Sequence, residues 1–220
     1  MPSSPYKHIS KVMDIIYKLS PNSILDVGAG FGKYGLLCRE YLELWDGRNK
    51  YHEFIRRIDG VEVYQKYITP VHEFAYNNIY SEDITVLIDK IDYRYDLVLL
   101  IDVLEHFDKP TGQSLLQKLL RQNNGVLIST PKNPGAQTEV FENIYETHRA
   151  KWTRDELSSF QDSFFARDST HRIAYIGIKE SVQKLKRRMF LERISFIPGT
   201  NYIATKYVNL KLRHQLHSQT

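Results

Sequence analysis

A glycine-rich loop is the first part of this sequence whose residue types could do chemistry. Segment 26–32 reads DVGAGFG and directly follows a short apolar run. Glycines in such a loop let a ligand approach the backbone closely and permit turns with positive φ. The acid that opens the loop, Asp26, would repel a pyrophosphate but could pair with an ammonium group or its bound water. The loop therefore predicts a ligand site that favours positive charge.

The spacing of the glycines separates two classes of ligand. A dinucleotide-binding loop reads Gly-x-Gly-x-x-Gly from the strand end, but counted from Gly28 the sixth position is Lys33. Segment 30–35 fits that pattern two residues late. The acid on the next predicted strand, Glu62, comes 34 residues after Gly28, whereas a nicotinamide cofactor needs an acid about 20 residues on. The pattern favours another adenosine-bearing ligand, with ribose hydroxyls donating to Glu62.

Two more acids and a histidine follow later predicted strands. Asp83 ends an acidic cluster after the third strand, Asp102 ends the fourth, and His106 follows it closely. Because the ordinary pKa of histidine suits proton abstraction near neutral pH, His106 is the candidate general base. A turn would also explain Asp83, a helix cap would explain Asp102, and a hydrogen bond to a loop carbonyl would explain the histidine. The residues alone leave these alternatives open.

Alternating strands and helices must position these side chains. An amphipathic N-terminal helix with apolar residues from Ile9 to Leu19 precedes them. The predicted strands are 23–27, 58–63, 78–84, 95–102 and 125–131, and the predicted helices between them are 33–44, 70–77 and 112–122. Segment 95–102 is too continuously apolar for a strand with one wet face, so it should lie centrally. This order predicts an α/β fold with a doubly wound, Rossmann-like, mostly parallel sheet and a ligand beyond the carboxyl ends of its strands.

The last third of the chain predicts an edge pair and a basic extension. A capping box of Thr153 and Glu156 starts a helix, and segments 164–167 and 173–178 should form an antiparallel pair at the sheet edge. Residues 179–220 contain nine lysines or arginines and two acids, a charge of +7, which leaves −3 on residues 1–178. We therefore expect a domain over 1–178, with its N-terminal helix within 1–21, and a basic C-terminal extension over 179–220.

Composition excludes several classes of protein. Hydrophobic residues make up 42% and charged residues 25%, as in globular domains. The single cysteine, Cys38, excludes an internal disulfide and a cysteine-based metal cluster, and it should be a small core residue. No apolar run approaches the roughly 20 residues of a membrane span, and the first eight residues lack the apolar core of a secretory signal. We expect a cytoplasmic protein without membrane contact.

Over residues 22–178 the chain resembles the class I S-adenosylmethionine-dependent methyltransferases. The loop at 26–32 is similar to the family's first motif, Glu62 stands at the place of its ribose-binding acid, and Asp83 at that of the acid near the adenine amine. Asp102 stands beside the expected methyl group. The resemblance implies S-adenosylmethionine as cofactor and these binding residues: Asp26, Gly28, Ala29, Gly30, Glu62, Val63, Asp83, Ile84 and Asp102. Segments 102–107 (DVLEHF) and 129–132 (STPK) resemble a broad bacterial group acting on small molecules, sugars and quinones.

The resemblance implies transfer in which the acceptor attacks the methyl carbon in line with the departing sulfur. A hydroxyl acceptor would need a base such as His106, and an amine only deprotonation and alignment. We expect a small molecule or sugar-bearing metabolite rather than a nucleic acid, because residues 1–178 carry net negative charge. Phe141, Tyr145 and Trp152 would offer the acceptor aromatic surface, although Trp152 could instead be a packed aromatic at a helix start. The sequence leaves open the acceptor atom and the oligomeric state.

Two rival functions follow from other features. Asp102, Glu105, His106 and His148 resemble the metal-binding set of small-RNA 3′-terminal 2′-O-methyltransferases, although there the first ligand is Glu and not Asp. The same Glu-His pair also occurs in the broader group without a metal, and we expect no bound metal here. Alternatively, the basic extension could serve a non-catalytic, cofactor-binding adaptor, against which the intact glycine and acid set argues.

Overall fold

The computed structural model describes residues 6–44, 50 and 53–195. Residues 1–5 and 196–220, which hold the start of the predicted N-terminal segment and most of the predicted basic extension, lie outside the described residues. The helices are α1 (Tyr6–Leu19), α2 (Lys33–Arg39), α3 (Pro70–Ala75), α4 (Ile84–Leu87), α5 (Lys109–Gln122), α6 (Arg154–Ser158) and α7 (Lys179–Ser195). The strands are β1 (Ser23–Val27), β2 (Arg57–Val61), β3 (Asn78–Tyr80), β4 (Leu97–Ile101), β5 (Gly125–Pro131), β6 (Ser163–Ala166) and β7 (His171–Gly177).

The seven strands form one sheet in the order β3-β2-β1-β4-β5-β7-β6. The first five are parallel, and β7 pairs antiparallel with both β5 and β6. This confirms the predicted Rossmann-like, mostly parallel sheet with an antiparallel edge pair. The order reverses between β1 and β4, and all five residues of each of these strands are buried. A ligand of such a sheet is expected beyond the carboxyl ends of those two strands.

Local capping shortens one predicted strand and lengthens one predicted helix. The strand predicted over 78–84 ends at Tyr80, because the Asp83 carboxylate accepts a 2.8 Å hydrogen bond from the backbone N–H of Thr85 and caps α4. Helix α5 begins at Lys109 instead of residue 112, because Asp108 caps it through a 2.9 Å bond from the Thr111 N–H. Both differences arise from side-chain caps at helix starts, which cannot be predicted from the periodicity of hydrophobic residues.

Helices cover both faces of the sheet, and α7 is one of them. Its Val182 and Leu185 are 1% and 0% exposed, within the apolar cluster that also contains Ile15 and Ile16 of α1. Cys38 is fully buried in the same cluster, as predicted. The described part of the basic extension therefore packs on the sheet through its apolar side. No helix in the described ranges has both the length and the apolar character to cross a membrane.

Candidate functional site

The glycine loop after β1 is bound to the end of β2. The backbone N–H groups of Gly28 and Ala29 donate to the Val61 carbonyl at 2.9 and 3.0 Å. Gly28 has φ of +71°, and a Cβ there would lie 2.5 Å from Cγ2 of Val103. Gly30 also has positive φ, at +56°. A side chain at Gly28 would therefore collide with the turn after β4, and the positive φ, which Gly32 shares at +84°, favours glycine at all three positions.

Glu62 connects the glycine loop to the segment after β2. Its Oε2 accepts a 2.8 Å hydrogen bond from the Gly30 N–H, and its Oε1 accepts one of 2.8 Å from the Tyr64 N–H. Burial raises the pKa of Glu62 to about 7, and these two N–H groups oppose the rise. Each carboxylate oxygen keeps further acceptor capacity, so Glu62 can still receive hydroxyl donors.

A cavity of about 300 Å³ opens at the switch point of the sheet, as the strand order predicts. The structure brings nine of the ten predicted site residues to its walls. These are Gly28, Ala29, Gly30, Glu62, Val63, Asp83, Ile84, Asp102 and His106. They come from the ends of β1, β2 and β4 and from the start of α4, so residues as far apart in the chain as Gly28 and His106 share one pocket.

Asp26 is the predicted residue that does not line the cavity. It is 2% exposed, and its Oδ2 accepts a 2.6 Å hydrogen bond from the Tyr76 hydroxyl. Burial raises the pKa of Asp26 to about 6, and bonds from Tyr76 and the Gly35 N–H oppose the rise. The N–H of Gly35, in α2, also donates to the Tyr76 hydroxyl oxygen at 3.1 Å. Asp26 therefore takes part in the hydrogen bonds that connect α2 to Tyr76 at the end of α3. The ammonium contact expected of it remains a prediction.

Asp102 lies at the end of β4 in a left-handed conformation, with φ of 56°. This conformation costs a non-glycine residue on the order of 1–3 kcal/mol. Two bonds with Ser129 of β5 hold it: the Asp102 N–H donates to the Ser129 carbonyl at 2.8 Å, and the Ser129 hydroxyl donates to Asp102 Oδ1 at 2.7 Å. Among the described residues, Oδ2 is buried without a partner. The contacts with Ser129 therefore fix the Asp102 carboxylate through Oδ1 and leave Oδ2 unpaired among the described residues.

His106 has the arrangement of a proton acceptor. Its Nδ1 lies 3.1 Å from the Thr147 carbonyl, to which it can donate only as N–H. In the neutral ring Nε2 then carries the lone pair. Burial lowers the pKa of His106, so the ring is neutral near neutral pH. His106 can therefore accept a proton at the wall of the cavity.

Three of the four residues in the metal-binding resemblance come together. Glu105, His106 and His148 each place a donor atom within 4.8 Å of the others. Burial raises the pKa of Glu105 to about 8, and the charge of Asp102 raises it further. His148 Nδ1 lies 3.0 Å from the Gly135 carbonyl. Asp102 is not part of the group that lies within this distance.

The loop at 132–148 supplies cavity residues that the sequence did not single out. Asn143 and Glu146 line the cavity and are 3% and 7% exposed, and Arg149 follows them. The negative charge of Glu146 raises the pKa values of both His106 and Glu62. Its carboxylate therefore acts electrostatically on the candidate base and on the candidate ribose-binding acid. Asn143 accepts a 3.0 Å bond from the Tyr145 N–H, a local Asx-type turn that the Asn-x-Tyr spacing could have indicated.

The aromatic surface predicted for an acceptor is only partly present. Trp152 is fully buried, and its Nε1–H donates to the Leu104 carbonyl at 3.1 Å. Its ring packs under the turn after β4, where Gly112 leaves room for it, so Trp152 is the packed aromatic at a helix start that the sequence also allowed, and its use as acceptor surface was wrong. Tyr145 lines the cavity, and Phe141 is 62% exposed but does not line it.

Comparisons with known proteins agree with this architecture. Residues 6–169 match the family model described as a methyltransferase domain. No curated protein sequence matches the chain. Among solved structures, the chain is similar to the N-terminal domain of EvdMO1, solved with S-adenosylhomocysteine and D-fucose, with 16% identity, a TM-score of 0.56, and coverage of 80% of this chain and 84% of that one.

Two further solved structures share the fold. An O-methyltransferase family protein from Burkholderia thailandensis is 10% identical, with a TM-score of 0.52 and coverage of 77% of this chain and 56% of that one. The methyltransferase domain of bacterial CtHen1 is 17% identical, with a TM-score of 0.51 and coverage of 78% and 98%. The family match spans most of the chain, including every residue placed at the cavity. The chain therefore belongs to the class I S-adenosylmethionine-dependent methyltransferases.

Proposed function

We propose that this enzyme transfers a methyl group from S-adenosylmethionine to a hydroxyl or amine of a small molecule or sugar-bearing metabolite. The observation that carries the proposal is the acidic lining of the cavity at the switch point. Six carboxylates face two cationic side chains there: Glu62, Glu82, Asp83, Asp102, Asp108 and Glu146 against Lys33 and Arg149. Such a lining attracts a sulfonium and disfavours phosphates.

The cofactor would be held by the ends of three strands. Glu62 would accept hydrogen bonds from the ribose hydroxyls, and the cap of α4 would place Asp83 and Ile84 at the adenine. The glycine loop offers close approach to the backbone at Gly28, where an added Cβ would lie 2.5 Å from Val103, and the positive φ values of Gly28 and Gly30 favour glycine at both positions. When bound, S-adenosylmethionine supplies a methyl carbon already made electrophilic by its sulfonium.

The acceptor would be activated and positioned by this chain's own residues. His106 would take the proton of an acceptor hydroxyl, since its ring is held neutral by burial and oriented by the Thr147 carbonyl. Glu146 and Asn143, buried on the same wall, would bind acceptor hydroxyl or amine groups. Sugars present such groups on a small ring. The D-fucose in the structure of the EvdMO1 domain supports this choice of acceptor class.

Calorimetric titration tests the cofactor part of the proposal. We expect S-adenosylhomocysteine to bind and NAD not to bind. At about 100 times its Kd, S-adenosylhomocysteine should add roughly 2.7 kcal/mol to the free energy of unfolding. Binding of NAD, with none of S-adenosylhomocysteine, would contradict the assignment.

Transfer of labelled methyl from S-adenosylmethionine tests the acceptor part. Sugars, amino sugars, the corresponding sugar phosphates and RNA should be compared as acceptors. We expect incorporation into an uncharged or amine-bearing acceptor and little into the phosphorylated forms. His106→Asn should lower transfer to a hydroxyl acceptor by about 10²- to 10⁴-fold and leave S-adenosylhomocysteine affinity unchanged. Submicromolar binding of RNA at physiological salt, with methyl incorporation into it, would show the acceptor class to be wrong.

A further inference from the structure

The loop at 132–148 contacts the segment that follows β2. The Tyr64 hydroxyl donates a 3.2 Å hydrogen bond to the Phe141 carbonyl, and Lys66 Nζ lies 3.2 Å from Glu142 Oε2. The two segments come from opposite sides of the switch point, since β2 and β5 flank β1 and β4 in the sheet. One part of the cavity wall is proposed to bind the ribose and the other the acceptor, and these side chains join them.

The contacted part of the loop is a tight turn at 140–143. Its first and last residues form an isolated β-bridge, in which the Asn143 N–H donates to the Val140 carbonyl at 3.0 Å. Between them, Phe141 and Glu142 have φ of 53° and 61°. Positive φ at both central positions is the mark of a type I′ turn, which prefers Asn-Gly there. A Phe-Glu pair is strained in this turn, so the turn depends on contacts from outside it.

The turn determines where the residues assigned to the acceptor lie. The Asn143 carbonyl accepts a 3.2 Å hydrogen bond from the Glu146 N–H, and the Asn143 side-chain oxygen accepts one of 3.0 Å from the Tyr145 N–H. Gln137 Nε2 donates to the Glu146 carbonyl at 2.6 Å. Asn143, Tyr145 and Glu146 all line the cavity. A displacement of the turn would therefore move all three.

Tyr64 also holds the candidate ribose-binding acid. Its backbone N–H donates a 2.8 Å hydrogen bond to Glu62 Oε1, while its hydroxyl reaches the Phe141 carbonyl. Its ring packs edge-on against Tyr67, with the centroids 4.8 Å apart, and Tyr67 is 4% exposed at the cavity wall. Because backbone, ring and hydroxyl of Tyr64 are all engaged, a ligand that fixes Glu62 also restricts the hydroxyl that contacts the turn.

We propose that Tyr64 is a positioning residue, which couples the cofactor side of the cavity to its acceptor side by holding the turn at 140–143. A ribose bound to Glu62 fixes the Tyr64 backbone, and the Tyr64 hydroxyl then keeps the strained turn in place. Cofactor binding thus orders the acceptor wall, and by linkage an acceptor strengthens cofactor binding by the same factor. The inference rests on the proposed function in one respect, that a cofactor ribose binds at Glu62.

Hydrogen exchange of the loop tests the proposal without a known acceptor. The Asn143, Tyr145 and Glu146 amides are hydrogen bonded within the loop, so their exchange reports its opening. In the wild type, saturating S-adenosylhomocysteine should slow this exchange by about two- to tenfold, because the coupling passes through one hydrogen bond. Tyr64→Phe keeps the ring and the backbone N–H, and it should lose this slowing.

The amides of the glycine loop show that the variant still binds the ligand. In Tyr64→Phe, saturating S-adenosylhomocysteine should slow exchange at 28–30 as it does in the wild type. Tyr93→Phe is the matched control, since Tyr93 packs on Arg57 and does not line the cavity, and it should keep the slowing of the loop. Equal slowing of the loop in Tyr64→Phe and the wild type would overturn the proposal, as would its absence in a wild type that binds the ligand.

A rescue separates the role of the hydroxyl from damage to the fold. Phe141→Asn with Glu142→Gly gives the turn the residue pair that it prefers. Added to Tyr64→Phe, this change should make exchange of the loop slow both with and without ligand. Exchange that stays fast would show that Tyr64 does not act through the turn, and would overturn the proposal.

A ligand-free comparison separates failure of this inference from failure of the proposed function. Without ligand, Tyr64→Phe should speed exchange of the loop amides by about two- to tenfold relative to the wild type, through loss of the same hydrogen bond. Unchanged exchange would overturn the proposal. A wild type that does not bind S-adenosylhomocysteine would instead contradict the proposed function, which the ligand-free comparison does not require.

Discussion

The backbone N–H of Gly30 donates a 2.8 Å hydrogen bond to Oε2 of Glu62. This bond joins the loop after β1 to the residue that follows β2, across the two strands that flank one side of the switch point. It orients the Glu62 carboxylate without using all of its acceptor capacity. The same glycines that allow a ligand to approach the backbone therefore also position the acid that would bind its ribose.

Gly28→Ala should damage both the fold and the cofactor site. Alanine would have to adopt the +71° φ of Gly28 and place its Cβ 2.5 Å from Val103. We expect a loss of about 1–3 kcal/mol in the free energy of unfolding and no measurable S-adenosylhomocysteine binding. Thermal unfolding and calorimetric titration measure the two effects. Gly135→Ala is the matched control, since no atom lies within 4 Å of its added Cβ; equal losses in the two variants would refute the explanation.

Glu62→Ala should weaken S-adenosylhomocysteine binding by about 1.5–3 kcal/mol, through loss of hydrogen bonds from the ribose to a charged group. Calorimetric titration at pH 8, where Glu62 is mostly ionised, gives the largest difference. Glu73→Ala removes an exposed carboxylate of α3 that does not line the cavity and should leave affinity unchanged. If both variants bind as the wild type does, Glu62 is not the ribose acid.

The sequence predicted the order of the elements better than their ends. Strands β1 and β4 are fully buried, all of β5 except Pro131 is buried, and mostly apolar runs of this kind are visible without tertiary information. The Asp83 and Asp108 caps shift boundaries by a few residues because one side-chain bond decides them. Polar residues at strand ends were found because a parallel sheet brings all its carboxyl ends to one edge.

The residues that the sequence could not supply depend on long-range contacts. Glu146 reaches the cavity from a polar loop without periodicity, and nothing in that loop separates it from its neighbouring polar residues. His8 and His171 meet across 163 positions of the chain because α1 packs beside β7. Asp26 belongs to the predicted motif, but its carboxylate accepts a hydrogen bond from Tyr76, 50 residues away in the chain. The spacing of a motif predicts where the backbone lies in the fold. The direction of a side chain depends on its hydrogen-bond partners, which the spacing does not identify.

Stability should fall with rising pH through the titration of Glu62. Its pKa is about 7 in the folded protein against 4.5 ordinarily, so the folded state binds the proton more tightly. The contribution of Glu62 is fully present below about pH 4.5 and is lost as pH rises to about 7, with a slope of up to about 1.4 kcal/mol per pH unit. Glu62→Gln should lower the slope by this amount in urea unfolding series at pH 5, 6 and 7, and the slope that remains belongs to Asp26 and Glu105, whose pKa values burial also raises. A slope as steep in Glu62→Gln as in the wild type would contradict the assignment.

Cofactor affinity should change with pH in the opposite direction. Ribose hydroxyls donate to an ionised Glu62 more strongly than to a protonated one. Because burial raises the Glu62 pKa to about 7, S-adenosylhomocysteine affinity should increase between pH 6 and 8, by about tenfold at most over one unit below the pKa. Titrations at three pH values measure this. The increase should be absent in Glu62→Gln, and an increase of the same size in that variant would assign it to another group.

Elemental analysis of the dialysed protein should find no stoichiometric divalent metal. Glu105, His106 and His148 lie within 4.8 Å of one another, but burial raises the Glu105 pKa to about 8, so this acid is mostly protonated at neutral pH and is a poor ligand in that form. Asp102, the fourth residue of the resemblance, does not belong to this group. Hard cations usually require a fuller set of ionised oxygens. The three donor groups alone therefore favour proton transfer over metal binding.

A bound metal would favour the RNA 2′-O-methyltransferase function over methylation of a small molecule. Substitutions of individual histidines would show where the metal binds. An ion lost in His106→Ala, His148→Ala and retained in His8→Ala would lie at the cavity, and it would support metal-assisted methylation of an RNA 2′-hydroxyl. An ion lost only in His8→Ala would lie at the second such group, His8, Asp168 and His171. There Lys11 already neutralises Asp168 at 2.5 Å, so a cation would have to displace a lysine. The same measurement thus separates a catalytic ion from one that would only compete with an existing ion pair.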